Sequence, residues 1–425
     1  MTETLDLELD TQNTEIEKQN FRKVQVDAIG VGLASSAGPF LPVFLTRLNA
    51  STFQVSLLTT MPAIAGLLLA LPLGSLLQRQ KKIVPWFSAS RLAVLSGYFL
   101  TGLVAFLVPQ KALIIAVLLV WALVTIPQTM LAICFSVVMN AVAGPNKRYA
   151  LMSKRWSTLG VTTAITVFLM GILLDKFKFP LGYQWMFIVL SFGGLISFYF
   201  SSTIKLPDLE VPEKTHKTTI KAQIGEYAHL VRSEKPFVSF VLKRFVFLTG
   251  TTLSLPLLPI YFVREVHMTD SWIATIATVQ TTIMVVGYFF WARQSRRKSS
   301  RTVLLWTTFG LSFYPLLTAM THQAWVIAVF AGITGIFQAG ADLVFFDELM
   351  KTFPAEYSAT FVSLAQGFQY LSAIIAPLIG SALADSIGLG SALVISSVIR
   401  LVGFGLFALD RPKQKATLLN TPVEG

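Results

Sequence analysis

Residues 205–236 read KLPDLEVPEKTHKTTIKAQIGEYAHLVRSEKP and hold six Lys/Arg and five Asp/Glu in 32 positions. This is the long polar interval of an otherwise apolar chain, with about two hundred mostly hydrophobic residues on either side. A polar hinge between two apolar blocks predicts two membrane-embedded bundles joined on one face of a bilayer, because only helices or closed barrels satisfy their backbone groups in lipid.

Composition agrees. Mean hydropathy is +0.65, with 54% hydrophobic and only 13% charged residues, where a soluble domain carries about 25% charged. The single cysteine, Cys134, lies in an apolar run, which leaves no disulfide framework and no thiolate metal site. His216, His229, His267 and His322 fall in or near loops, and no two have metal-ligand spacing. No P-loop, GxSxG or HExxH occurs, so neither an enzyme nor an ATP-driven pump is expected, and no cofactor or metal. The net charge of +12 follows from topology, below, and does not signal nucleic acid.

Apolar runs are predicted to span at 24–48, 54–77, 84–107, 111–139, 149–173 and 183–204, then at 237–263, 271–292, 302–320, 323–350, 357–384 and 389–409. Each is long enough to cross about 30 Å of hydrocarbon, tilted where longer. A β-barrel would show alternating segments of about ten residues instead. The first 23 residues begin acidic, with six Asp/Glu before Lys18, unlike the basic start of a secretory signal. They are expected to form a disordered tail.

Lys and Arg set the orientation. Counting from a cytoplasmic N-terminus, the inside loops carry Arg79, Lys81 and Lys82, then Lys147 and Arg148, then Arg293, Arg296, Arg297, Lys298 and Arg301. The outside loops carry only Arg47, Lys111, Lys176, Lys178 and Arg264. Both termini and the hinge are therefore expected in the cytoplasm. Within the hinge, Ile220, Ile224, Tyr227 and Val231 recur at helical spacing and predict a short amphipathic helix on that face.

The two apolar blocks share landmarks. Pro39-Phe40-Leu41-Pro42 is followed five residues on by Arg47, and Pro256-Leu257-Leu258-Pro259 five residues on by Arg264. Arg79-Gln80-Lys81-Lys82 has a counterpart in Arg293-Gln294-Ser295-Arg296-Arg297. Pro145, Gly171 and Asp175 recur as Pro354, Gly380 and Asp385. An internal duplication explains three landmarks in one order.

A six-plus-six duplication around a cytoplasmic hinge resembles the major facilitator superfamily, over essentially Phe21 to Arg411. The family's loop signature after the second helix is roughly G-x-L-a-D-R-x-G-R-K. Gly74, Leu76, Arg79 and Lys82 match it, while Gln78 replaces the Asp and Lys81 the second Gly. Pro145-Asn146-Lys147-Arg148 before the fifth span is also similar to the family. The resemblance implies an all-α membrane protein, with twelve transmembrane helices in two pseudo-symmetric six-helix bundles. The expected organisation is a tail at 1–23, bundles at 24–204 and 237–410, the linker at 205–236 and a tail at 411–425. It also implies a cavity between the halves, lined chiefly by the first, fourth, seventh and tenth helices, and a gating role for Gly74, Arg79 and Lys82.

Ionisable residues inside spans cost roughly 2.5–3.5 kcal/mol each at mid-helix, so each asks for a reason. Arg91, Lys154, Arg155, Lys243, Arg244, Asp342 and Arg400 lie well inside; Asp27, Asp347 and Glu348 lie nearer the cytoplasmic ends. Arg155 and Arg244 are candidates to face an anionic or amphiphilic solute, against the alternative of snorkelling or pairing within their own bundle. Gln128, Gln338, Gln366, Gln369 and Tyr370 complete the candidate lining; 366 shares a helical face with 369 and 370. Asp342 is the candidate coupling group for protons or sodium, against an ion pair with Arg400 at similar depth.

The sequence thus predicts a secondary active transporter of a small organic solute, ion-coupled, working by alternating access as a monomer among lipids of the cell's inner membrane. A non-transporting receptor or assembly factor on the same fold is the alternative. The family's drug–proton antiporters usually carry an Arg in the fourth helix and a Gly-Pro pair in the fifth, and neither occurs here.

Overall fold

A computed structural model describes residues 2–207, 234–297, 299–353 and 358–409. Among these, twelve helices are long and apolar enough to cross a membrane. The first six spans are α1 (Glu15–Arg47), α2 (Thr52–Ala70), α3 (Val84–Leu107), α4 (Gln110–Ala143), α5 (Leu151–Leu174) and α6 (Leu181–Ser202). The last six are α7 (Lys235–Arg264), α8 (Asp270–Trp291), α9 (Ser300–Ala319), α10 (Ala324–Met350), α11 (Phe361–Ile387) and α12 (Leu389–Ala408). The amphipathic helix expected over 220–231 lies outside the described residues.

Two boundaries differ from the sequence reading. Helix begins at Thr2 rather than near Val24 and runs to Ser35. Helical backbone also continues from Gln110 through Leu174, across the expected loop between α4 and α5.

Local chemistry sets the other ends. Ser51 and Gln54 form a capping box before α2: Ser51 Oγ accepts from Gln54 N, and Gln54 Oε1 accepts from Ser51 N at 2.8 Å. α1 and α7 both stop at a left-handed residue, Asn49 at φ 64° and His267 at φ 54°, types that tolerate that region better than most. At the start of the linker, Asn20 Nδ2 donates to the Lys205 carbonyl at 2.7 Å and Lys205 N donates back to Asn20 Oδ1 at 3.0 Å. The hinge therefore leaves from the same face on which α1 begins.

The buried cores divide unevenly along the membrane normal. Toward the face opposite the linker, the distal face, one continuous cluster crosses both halves, from Phe44, Leu174 and Tyr183 to Leu257, Ile260 and Ile273. Toward the linker face it splits in two. Val24, Phe87, Cys134 and Leu151 pack in the first half, and Phe237, Phe247, Phe345 and Phe361 pack separately in the second. Close packing governs association here, since lipid tails offer no hydrophobic force between helices. α2 packs on α11 and α5 on α8 across the halves. At Gly171 a side chain would run into Ala274, so this glycine admits the close α5–α8 approach at the distal end.

Candidate functional site

A cavity of about 390 Å³ lies in the linker-side part of the second half. Arg244 of α7, Gln338 and Asp342 of α10, Gln366 and Gln369 of α11, and Arg400 of α12 line it. By the 1.5 Å rise per residue, Arg244, Asp342, Gln369 and Arg400 all sit roughly 12–14 Å from the linker-side ends of their helices, near one depth. Phe247, Phe345 and Phe346 supply aromatic wall.

Each charged group has neutral partners. Arg244 donates through Nη2 to Gln369 Oε1 at 3.0 Å, and its guanidinium lies 5.5 Å from the Phe345 ring centre. Its buried Nε has no acceptor. Asp342 accepts from the Tyr288 hydroxyl at 2.8 Å on one oxygen and from Gln338 Nε2 at 2.8 Å on the other. The ion pair with Arg400 that stood as the alternative to a coupling role for Asp342 is absent. Arg400 instead donates to the Leu311 carbonyl at 2.9 Å and to Ser254 Oγ at 2.5 Å. These acceptors lie closer to hand on α9 and α7, and they hold the guanidinium inside its bundle.

The other acids of α10 share one cation. Lys351 Nζ sits 2.6 Å from Asp347 and 3.1 Å from Glu348 at the linker-side end. Partial burial alone would lower the Lys351 pKa, but hydrogen bonds and charge from the two carboxylates raise it.

Three expected lining residues fall elsewhere. Arg155 is buried in the first half, with Nη2 3.8 Å from Asp27, whose same oxygen lies 3.5 Å from Arg91 Nη1. Ser197 Oγ donates to the other Asp27 oxygen at 2.6 Å. A Cβ at Gly30 would stand 2.6 Å from the Gly193 carbonyl and from Ser197 N, so Gly30 lets α6 come close enough for that bond. Phe135 and Trp156 also face the Arg155 guanidinium, at 4.7 and 5.4 Å. Gln128 is exposed on α4, away from the cavity. Tyr370 packs its ring against Gly66 of α2, at the contact between halves, instead of lining the cavity.

The loop candidates lie at the linker-side end of the helix that contains α2. Gly74 has open space where a Cβ would stand, and Arg79 and Lys82 are exposed, with no ion pair among the described residues.

The distal face carries polar contacts that the sequence reading had not assigned. Arg47 donates to Asp270 Oδ1 at 2.8 Å and to the Met268 carbonyl at 3.1 Å, while Arg264 donates to the Ala50 carbonyl at 2.5 Å. The Tyr183 hydroxyl also donates to Asp270 Oδ1, at 2.5 Å. Asp175 accepts from the Asp270 and Ser271 amides that open α8, and Asp385 accepts from Thr52 Oγ1 at the start of α2. Arg47 with Arg264, and Asp175 with Asp385, are the paired landmarks of the duplication. The same two positions in each repeat reach across to the other half.

This arrangement, with two six-helix halves joined at one face and separated below that joint, agrees with comparison by sequence profile. The profile described as Major Facilitator Superfamily matches residues 28–249 and again 240–423. The chain belongs to the major facilitator superfamily. Among solved superfamily-like folds, a point mutant of the nucleoside transporter NupG aligns at TM-score 0.69 and 10% identity, over 92% of this chain and 99% of its own. A bacterial homologue of the iron transporter ferroportin, in an inward-facing state, aligns at TM-score 0.70 and 16% identity, over 93% and 98%. At those identities the likeness concerns the fold. Two curated relatives are each named multidrug resistance protein MdtG. The Proteus mirabilis (strain HI4320) protein is 26% identical over 168 residues, covering 37% of this chain and 40% of the relative. The Serratia proteamaculans (strain 568) protein is 27% identical over 187 residues, covering 41% and 45%. The match thus spans less than half the length of either relative.

Proposed function

We propose that this superfamily member is a secondary transporter that moves a small organic solute across a bacterial inner membrane by alternating access. The cavity of the second half is its binding site. The observation that carries this reading is the split core. One continuous core and a set of reciprocal polar contacts close the distal face, while toward the linker face the two halves bury their side chains separately beside a polar cavity. A rocking pair of bundles requires a solute site near mid-membrane that is shut on one side; this one draws its lining from the second half alone, not from both halves as the sequence predicts.

The Lys/Arg asymmetry supports a cytoplasmic linker face, which makes this conformation inward-facing. An alkaline phosphatase fusion after Lys176 is expected to be active and one within 205–236 inactive; reversed activities would overturn that orientation. The partial likeness to proteins named for multidrug resistance supports an organic solute. Asp342 is the acid on the cavity wall without a cationic partner among the described residues, and it is our candidate for coupling to protons or sodium. Asp342→Asn is expected to lose gradient-driven accumulation while keeping exchange.

Counterflow in proteoliposomes, with a panel of labelled small organic anions and amphiphiles, tests the transport reading. Trans-stimulated uptake of at least one solute, abolished by Arg244→Gln, is expected. No trans-stimulation across the panel would sink it and favour the receptor or assembly-factor alternative.

A further inference from the structure

We infer that the cavity of the second half is a bipolar site, built for a solute that carries an anionic group, a cationic group and an apolar body between them. This rests on the proposal that the cavity is where the solute binds, and it adds the chemical class.

Two opposite charges face one cavity from different helices without pairing. Arg244 and Asp342 both line it, yet no ion pair joins them. Each is held by a glutamine of its own: Gln369 accepts from Arg244, and Gln338 donates to Asp342. Tyr288 fixes the second oxygen of Asp342. An unpaired charge in a low-dielectric site is unfavourable unless something compensates it. Elsewhere opposite charges are brought together within the bundle, as at Asp27 between Arg91 and Arg155. In the cavity the charges are instead tethered apart, and a ligand completes them.

The complement of that arrangement has a carboxylate, phosphonate or sulfonate toward Arg244 and an ammonium toward Asp342. A planar guanidinium suits oxyanions of this kind, and a carboxylate held by two neutral donors keeps acceptor capacity for N–H groups. Arg400 adds a second guanidinium to the lining, so cations outnumber the single acid and the anionic end of the solute carries the larger share of affinity. Phe247, Phe345 and Phe346 give the middle of the solute an aromatic or aliphatic seat. A volume of about 390 Å³ lies at the small end of ligand pockets, which begin at about 300 Å³.

Three probes on one ring test this: 4-(aminomethyl)benzoate, which is bipolar, 4-methylbenzoate, which is anionic, and 4-methylbenzylamine, which is cationic. Binding is read as the rise in melting temperature of the purified full chain. The bipolar probe is expected to raise it most, the anionic probe less, and the cationic probe not at all. Arg244→Gln is expected to abolish both shifts. Asp342→Asn is expected to bring the bipolar shift down to the anionic one and leave the anionic shift unchanged, which separates a lost contact from misfolding. Equal shifts from the bipolar and anionic probes in the wild-type protein would overturn the inference. So would a preference for the amine, or no shift from any of the three at about 10 mM, a concentration that reveals even affinities weaker than millimolar. If the bipolar probe binds in this pattern but neither it nor any solute of the panel shows counterflow, the transport reading fails and the site stands. If monopolar solutes show counterflow while the bipolar probe does not bind, transport stands and the bipolar assignment fails.

Discussion

Asp27 in α1 and Arg244 in α7 stand at the same place in the two repeats, 217 residues apart, the spacing that also relates Pro39 to Pro256 and Arg47 to Arg264. Their surroundings differ. Asp27 is fully buried, with two guanidiniums within 3.8 Å and a serine hydroxyl on its other oxygen. Arg244 has one glutamine, one ring face and a cavity. The two repeats thus carry opposite charges at one matching position, enclosed in the first half and facing a cavity in the second. The first half uses its intramembrane charge to hold α1, α3, α5 and α6 together. The second half leaves Arg244 on a cavity wall, with no carboxylate partner among the described residues.

Breaking the enclosed charge should have the largest effect. Asp27→Asn leaves two buried guanidiniums facing each other and is expected to cost about 3–5 kcal/mol, read as lost folded yield and a lower melting temperature. Arg155→Gln alone is expected to cost less, because Asp27 keeps Arg91. Adding Arg155→Gln to Asp27→Asn is expected to recover part of the loss. If Asp27→Asn melts like the wild type, the cluster is not what holds the first half.

The distal contacts come next. Asp270 accepts from Arg47 and Tyr183, and bonds to a charged group contribute about 1.5–3 kcal/mol each. Asp270→Asn is therefore expected to shift the protein toward opening at the distal face. Spin labels at Lys176→Cys and Glu265→Cys report this as a longer distance population, and the single native cysteine, Cys134, is buried. An unchanged distance distribution would contradict the latch. Thr52→Ala removes the uncharged side of the Asp385 contact and is expected to act in the same direction but less, since it loses a single bond to a charged group, about 1.5–3 kcal/mol, where Asp270→Asn weakens several. The smallest effect is expected at Gln128, exposed and off the cavity, where Ala should leave counterflow within about twofold, the scale of a surface change.

Most of the fold was legible because spans, charge bias and repeats are one-dimensional signals. Arg244, Gln338, Asp342, Gln366 and Gln369 were singled out as polar residues at depth, and the structure places them around one cavity. What the sequence could not carry was pairing. Arg155 and Arg244 look alike as basic residues at similar depth, but one meets a carboxylate on α1 and the other does not, and helix packing decides that. Arg400 looked like a partner for Asp342 until nearer acceptors on α7 and α9 took its donors. The distal contacts also have a signal in the sequence. Arg47, Arg264, Asp175 and Asp385 served as marks of duplication, though charged residues kept at matching helix ends of two repeats also suggest a matching job.

The division of labour between the halves is tested most directly by placing Asp27→Asn and Arg244→Gln side by side, each measured for melting temperature and for counterflow of the same solute. The account predicts opposite profiles. Asp27→Asn melts well below the wild type, and whatever fraction stays folded still exchanges solute. Arg244→Gln breaks no ion pair, costs only about 1 kcal/mol, the centre of the range for single substitutions, and loses counterflow. Intact counterflow in a stable Arg244→Gln protein, or a folded Asp27→Asn protein at wild-type melting temperature that no longer exchanges, would contradict it.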